Sequence, residues 1–175
     1  MRANDGKFSV ELPFKYQRPN FGNSVDLALK RLGSTERRLA SNPELQSQYS
    51  EFMAEYIALN HMEKIPNSEI AKSSNECYYL PHHAVIEAES IPTRVRVVFD
   101  GSAHTGIYSS LNESLLTGPS LLREIFAIIK RFRQNRFIMS GDVENMYRMI
   151  WIHDNHRDFQ RILWRRSPDK PIEQA

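Results

Sequence analysis

A single cysteine, Cys77, in 175 residues excludes an intramolecular disulfide and makes a reducing compartment the natural setting. Its neighbours Tyr78, Tyr79 and Leu80 mark it as a small buried hydrophobe rather than a reactive thiol. No run approaches the apolar length of a membrane span, and the opening MRANDGKFSVELP lacks the apolar stretch of a signal peptide. The expectation is a soluble, intracellular chain. Charge of one sign is also missing: 23 Lys and Arg against 21 Asp and Glu leave a formal +2, which permits nucleic acid as a partner without demanding it. There is no internal repeat and no low-complexity segment. The length supports one sizeable core rather than two comfortable domains.

What is present is an ordinary mixture, 41% hydrophobic and 25% charged. Phe8 to Leu12 alternates and stops at Pro13, which predicts a short edge strand. A helix is predicted from Ser24, with Leu27, Ala28 and Leu32 on one face and an interruption near Gly33–Ser34. The clearest helix follows, capped by Asn42 or Ser41, with Pro43 in its first turn and a stripe from Leu45 through Tyr49, Met53 and Tyr56 running towards Met62. Ile65 to Glu76 reads as polar loop, and Tyr78 to Leu80 and Ala84 to Ile86 as short apolar runs around His82 and His83. Adjacent histidines on a strand face opposite ways and do not easily share a metal.

RVRVVF, Arg94 to Phe99, alternates basic with apolar and ends at the turn Asp100–Gly101. Two readings stay open: a solvated edge strand whose arginines discourage aggregation, or a strand whose Arg94 and Arg96 hold phosphate in a cleft. Thr105 to Gly118 reads as loop anchored by Leu111, Leu115 and Leu116. A strong helix is predicted from Pro119–Ser120 through Phe132, burying one side and ending in Lys130, Arg131, Arg133 and Arg136, cations that suit a helix C-terminus. His153 to Asp158 lacks the i, i+4 spacing of a helical metal site, which points to a solvated turn. Gln160 to Trp164 is a last strand, with no core element expected beyond it. Helices first, then strands around one long helix, give an α+β class.

The stretch FIMSGDVENMYRMIWI, Phe137 to Ile152, predicts a buried strand ending on Asp142, a tight turn, and a second apolar segment. A carboxylate at the end of a buried strand needs compensation. Mg²⁺ with substrate phosphates would supply it, and so would backbone amides at an ordinary turn.

The combination of YYLPHHAVI (Tyr78 to Ile86), RVRVVFDGSAHT (Arg94 to Thr105), SLNESLLTGPSLL (Ser110 to Leu122) and GDVENMYRMI (Gly141 to Ile150) resembles the BEL/Pao class of LTR retrotransposon Pol polyproteins. The resemblance runs from about Phe8 to Pro171 and is to the N-terminal part of the reverse transcriptase. It implies a helical region over 1–76 leading into fingers and a truncated palm over 77–175, with an incomplete sheet of the right-hand polymerase. It implies that Asp142 is the first catalytic, metal-binding aspartate of the palm and that Val143 offers its carbonyl to the same Mg²⁺ or Mn²⁺. Asn145, Met146 and Tyr147 would lie against the incoming dNTP, with Arg96 over the triphosphate. Arg94 matches more loosely, as a contact to nucleic acid or a structural residue. The implied partners are dNTP and an RNA/DNA primer–template, and the implied setting is a cytoplasmic virus-like particle.

The family draws two further aspartates from an aromatic-x-Asp-Asp hairpin downstream, and no adjacent Asp-Asp pair occurs in the 175 residues. Transfer by two metals needs several carboxylates, so the expectation is a polymerase fragment inactive by itself, binding metal weakly. The alternatives are a non-catalytic nucleic-acid-binding or interaction protein derived from a retroelement, and a small hydrolase using Asp142, Glu144, Asp154 and nearby histidines.

Overall fold

The structure, a computed structural model, describes residues 6–17, 19–66, 72–73, 76–87, 94–120, 124–141 and 146–175. Among these, five helices and three two-stranded sheets make a mixed fold, α+β at the coarse level. No helix among the described residues is long and apolar enough to cross a membrane.

Helix α1, Ser24–Ala40, starts where the Asn23 side chain accepts from the Asp26 amide. It runs without a break through Gly33, against the expected interruption. The buried set Ala28, Leu32, Thr35 and Leu39 continues in phase on both sides of that glycine. Its packing outweighs the roughly 1 kcal/mol that a helical glycine costs. Helix α2, Pro43–Ala58, is capped by Asn42, not Ser41, the side chain accepting from Leu45 N at 3.1 Å. Leu45, Tyr49 and Met53 are its buried face, and it ends four residues short of Met62 because Asn60 turns left-handed at φ +56°.

Both helices pack on a hairpin of β2, His82–Glu87, and β3, Arg94–Phe99, antiparallel with His82 opposite Phe99 and Ala84 opposite Val97. The alternation sends His82, Ala84 and Val97 into the core and His83, Val85, Arg96 and Val98 outward; the opposite facing of the two histidines, and of Arg96 against Val97, is as read from the sequence. Tyr78 to Leu80 lies alongside residues 158–161. The bonds are Tyr78 N to Asp158 O, Arg161 N to Tyr78 O and Leu80 N to Arg161 O, at 2.7–3.0 Å. One apolar cluster joins Phe21, Leu39, Tyr49 and Met53 to Tyr78, Leu80, Val97 and Ile162, so residues on both sides of position 76 share a core. Gly22, at φ +60°, lies so close to the Tyr108 ring that any Cβ would sit 2.3 Å from it; here only glycine fits.

Other elements depart from expectation. Strand β1, Phe8–Val10, pairs in parallel with β4, Ile150–Ile152. A capping box between Ser110 and Glu113 opens a short helix, α3, Leu111–Ser114, inside the expected loop. Leu111 is a buried anchor, Leu115 a partial one, and Leu116 is exposed. Helix α4 spans only Ile125–Phe132 and buries no residue, where a buried side was expected; residues 121–123 lie outside the described set. No strand forms over 137–141. Phe137 and Met139 are 84% and 94% exposed, so apolar composition alone misled: these side chains are not buried by the described residues. A 3-10 turn, Met146–Met149, leads into β4. The His153–Asp158 stretch is a short helix, α5, Asp154–Arg157, followed by a 3-10 turn, Asp158–Gln160. Its His156 accepts from the Leu12 amide at 2.9 Å, so the solvated turn is in fact bonded to the segment after β1. Only β5, Leu163–Trp164, forms in the expected last strand, and it pairs with β6, Glu173–Gln174, beyond the point where no element was expected.

Candidate functional site

A cleft of about 910 Å³ opens between the end of α2, the 60–66 segment, the tip of β3, and the run from the 3-10 turn through β4 and α5. Aromatic side chains form much of its wall: Tyr56, Phe99, Tyr147 and Trp151. Each arrives by its place in the fold. Tyr56 extends the apolar stripe of α2 beyond its buried part, stacked on Phe52 at 4.7 Å. Phe99 is the last inward residue of β3, 5.7 Å from the Tyr56 ring. Tyr147 sits on the 3-10 turn, 82% exposed, where a one-turn helix with no buried residue cannot draw it inward. Trp151 is on β4 with the Lys7 ammonium 4.3 Å from its ring centre.

The charges divide into neutralised and unneutralised. Arg157 pairs with Glu63 at 3.1 Å and Asp154 at 2.8 Å, and Lys64 pairs with Glu173 at 2.7 Å. Arg148 differs. Its guanidinium lies 4.6 Å from the Tyr56 ring centre and 5.6 Å from that of Phe52, and no carboxylate among the described residues pairs with it. A cation held on aromatic faces keeps its charge available to an anion. His61, edge-on to Tyr56 at 5.4 Å, has its Nδ1 shielded from solvent with no hydrogen-bond partner. Burial first, then the charges of Arg148 and Lys7, hold its imidazole below the ordinary histidine range, so it is neutral at pH 7. The cleft therefore offers stacking faces, one uncompensated guanidinium and one neutral ring nitrogen.

Its floor is a buried ion pair. Arg161 is 1% exposed; its Nε and Nη2 donate to Asp158 Oδ1 at 2.8 and 2.7 Å, and its Nη1 donates to Tyr79 Oη at 3.0 Å. Lys72 completes the cluster on Asp158 Oδ2 at 2.5 Å. Burial alone would raise the Asp158 carboxyl, but the hydrogen bonds and charges of Lys72 and Arg161 outweigh it and hold it below its ordinary value. Burial likewise works against the Arg161 charge, yet its bonds to Tyr79 and Asp158 raise it above the usual arginine value. Deeper in the core, His82 Nε2 donates to the Leu163 carbonyl at 2.7 Å, which leaves Nδ1 to accept from the Tyr49 hydroxyl. Both nitrogens are satisfied, so this histidine is structural.

Of the residues singled out from sequence, Asp142, Val143 and Asn145 lie outside the described residues. Met146 opens the 3-10 turn, 47% exposed, beside Tyr147, which does line the cleft. Arg96 stands on the outward face of β3, opposite Val85, and is not in the cleft wall; Arg94 begins the same strand, opposite Glu87. The fold thus brings Tyr147 to the cleft and leaves Arg96 on another face of the hairpin. The reading missed Arg148, His61 and Arg161. A cation directly after Tyr147 inside an otherwise apolar run was the available signal for Arg148; the other two carried none.

As to Mg²⁺, no three His, Cys, Asp or Glu side chains among the described residues form a metal cage. Of the carboxylates beside the cleft, Asp154 is engaged by Arg157, and Asp158 by Arg161 and Lys72. No family model, curated protein or solved structure matches the chain.

Proposed function

We propose that the chain is an N-terminal piece of a retrotransposon RNA-directed DNA polymerase of the BEL/Pao type. Its fingers and partial palm bind nucleotide and primer–template but do not polymerise alone. Support comes from the ordered series of motifs from Tyr78 to Ile150. The observation that carries the binding half is the cleft itself, lined by Tyr147 and three other aromatic side chains and by Arg148, whose guanidinium lies over the Tyr56 ring with no carboxylate partner among the described residues. Stacking faces with a free cation suit a base and its phosphate. In this reading Asp142, with the Val143 carbonyl, would hold Mg²⁺ or Mn²⁺, and the metal would supply charge for a triphosphate. One carboxylate is too few for transfer, so binding without turnover is the expected behaviour.

Primer extension with Mg²⁺ or Mn²⁺ should give no incorporation; robust incorporation abolished by Asp142→Ala would overturn the inactive reading. In fluorescence titrations with a labelled primer–template at low salt, Arg148→Ala and Tyr147→Ala should each weaken binding about tenfold, and Arg148→Ala should reduce the salt slope. Unchanged affinity in both variants would remove the cleft from the interface.

A further inference from the structure

Of the nine prolines in the chain, only Pro168 follows a serine or threonine. It lies in the connection between β5 and β6, in the run Arg166, Ser167, Pro168, Asp169, Lys170. Proline there fixes φ and gives up the amide hydrogen. A kinase whose site leaves the amide after the phosphoacceptor without a partner selects proline, because any other residue strands an N–H. Lys170, two residues beyond the proline, adds a cation that carboxylates of such a site can read. The Lys170 amide donates to the Ser167 carbonyl at 3.0 Å, closing a turn with Pro168 in second place. Ser167 is half-buried, and Pro168, Asp169 and Lys170 are exposed.

This turn also borders a place for the group that a kinase would add. An open groove of about 380 Å³ separates it from the first two turns of α2, with Arg166, Ser167 and Lys170 on one side and Gln46, Ser47 and Ser50 on the other. Arg165, the next residue back, is held by Glu36 at 2.6 and 2.7 Å. No carboxylate among the described residues pairs with Arg166 or Lys170. Two open cations and the positive end of a helix dipole thus border one groove. The acids beside it are Asp169, which accepts from the Ser167 hydroxyl, and Glu51, which accepts from Ser47 at 3.1 Å. A phosphoserine has no hydrogen to give Asp169, and its charge of about −1.5 to −2 is repelled by that carboxylate and drawn to the cations.

We propose that Ser167 is a phosphorylation site for a proline-directed protein kinase, and that its phosphate seats in the groove between Arg166 and Lys170, tying the β5–β6 connection to α2. In the transfer the Ser167 Oγ attacks the γ-phosphorus of ATP and the bond from that phosphorus to ADP breaks. The hydroxyl proton passes to the base of the kinase, and ADP leaves. The seated phosphate accepts charge-assisted bonds from Arg166 and Lys170, with the Ser50 hydroxyl as a neutral donor.

The full 175-residue chain is incubated with ATP, Mg²⁺ and a purified proline-directed kinase that is active on a Ser-Pro-x-Lys reporter peptide. Mass spectrometry of the digest should place one phosphate on Ser167, and Ser167→Ala should abolish it. Pro168→Ala should slow incorporation about tenfold or more. Phosphorus NMR of the phosphorylated chain should put the second phosphate pKa at least about 0.5 below its usual value near 6. Arg166→Gln should return it towards that value. So should Ser47→Ala with Ser50→Ala, which leaves the run read by the kinase intact; far-UV circular dichroism should match the parent in both variants. An unmodified Ser167, label undiminished in Ser167→Ala, or equal incorporation in Pro168→Ala would overturn the modification site. A phosphate that titrates at its usual value in the parent, or equally low in Arg166→Gln, would overturn the seat.

Discussion

Replacing Asp158 by asparagine tests the fold at its most exacting point. The variant keeps an oxygen for Arg161 but removes the Asp158 carboxylate paired with a guanidinium that is 1% exposed. Breaking a buried ion pair from one side costs about 3–5 kcal/mol, because the remaining charge is stranded. Two features place Asp158→Asn at the low end. The Asp158 side chain keeps 21% exposure, and the Tyr79 hydroxyl stays bonded to Arg161. Lys72, 31% exposed, returns to water and adds less than about 1 kcal/mol. The expected loss is about 3 kcal/mol at pH 7. With a urea m-value of about 2 kcal/mol/M, the denaturation midpoint should fall by roughly 1.5 M. The pH dependence follows from the depressed carboxyl. Its contribution is complete above the unfolded value near pH 4 and disappears as pH falls through the lower folded value. The gap between parent and variant should therefore be constant around neutrality and close below about pH 4. Arg161→Met on the Asp158→Asn background should recover part of the loss, with a coupling of about 2 kcal/mol. A midpoint shift under about 0.3 M, or a gap that persists to acid pH, would show that the pair is not what holds residues 158–161 against Tyr78 to Leu80.

Two further perturbations probe the remaining core. Burial holds the His82 imidazole below its ordinary value, more strongly than the Leu163 carbonyl raises it. The stability it contributes is full above about pH 6.5 and declines as pH drops below that. Urea midpoints should fall between pH 7 and 5.5, and His82→Gln should flatten the slope; an unchanged slope would assign it to other groups such as His61. Asn42→Ala removes the bond from the Leu45 amide and should cost about 1 kcal/mol, read as a lower thermal midpoint by circular dichroism. No change would mean that α2 is held by packing alone.

The parts of the fold with strict periodicity were legible from residues. The Leu45, Tyr49, Met53 stripe and the alternation of Val95, Val97 and Phe99 each name an element and its inward face, and Pro43 after Asn42 marks a start. Gly33 misled because propensity cannot see the packing of Leu32 and Leu39 on either side. Phe137 to Gly141 misled in the opposite sense, while the second apolar segment of that stretch did form β4: an apolar run implies burial only if something covers it, and that is decided elsewhere in the chain. For the cleft, Tyr147 was visible through its motif. Arg161 was not, since nothing in GlnArgIleLeu distinguishes a buried guanidinium from a solvated one until Asp158 and Tyr79 close around it.

The parallel pairing of β1 with β4 has a consequence for the order of folding. The two strands lie about 140 residues apart, so the pair cannot form until a loop of nearly the whole chain has closed, a slow event by the scaling of contact order. During synthesis the Phe8–Val10 segment must wait, unpaired, until Ile150–Ile152 leaves the ribosome. The α1–α2 unit with its β hairpin can already have set by then. Over that interval the N-terminal segment lacks its partner strand and is open to proteases and chaperones.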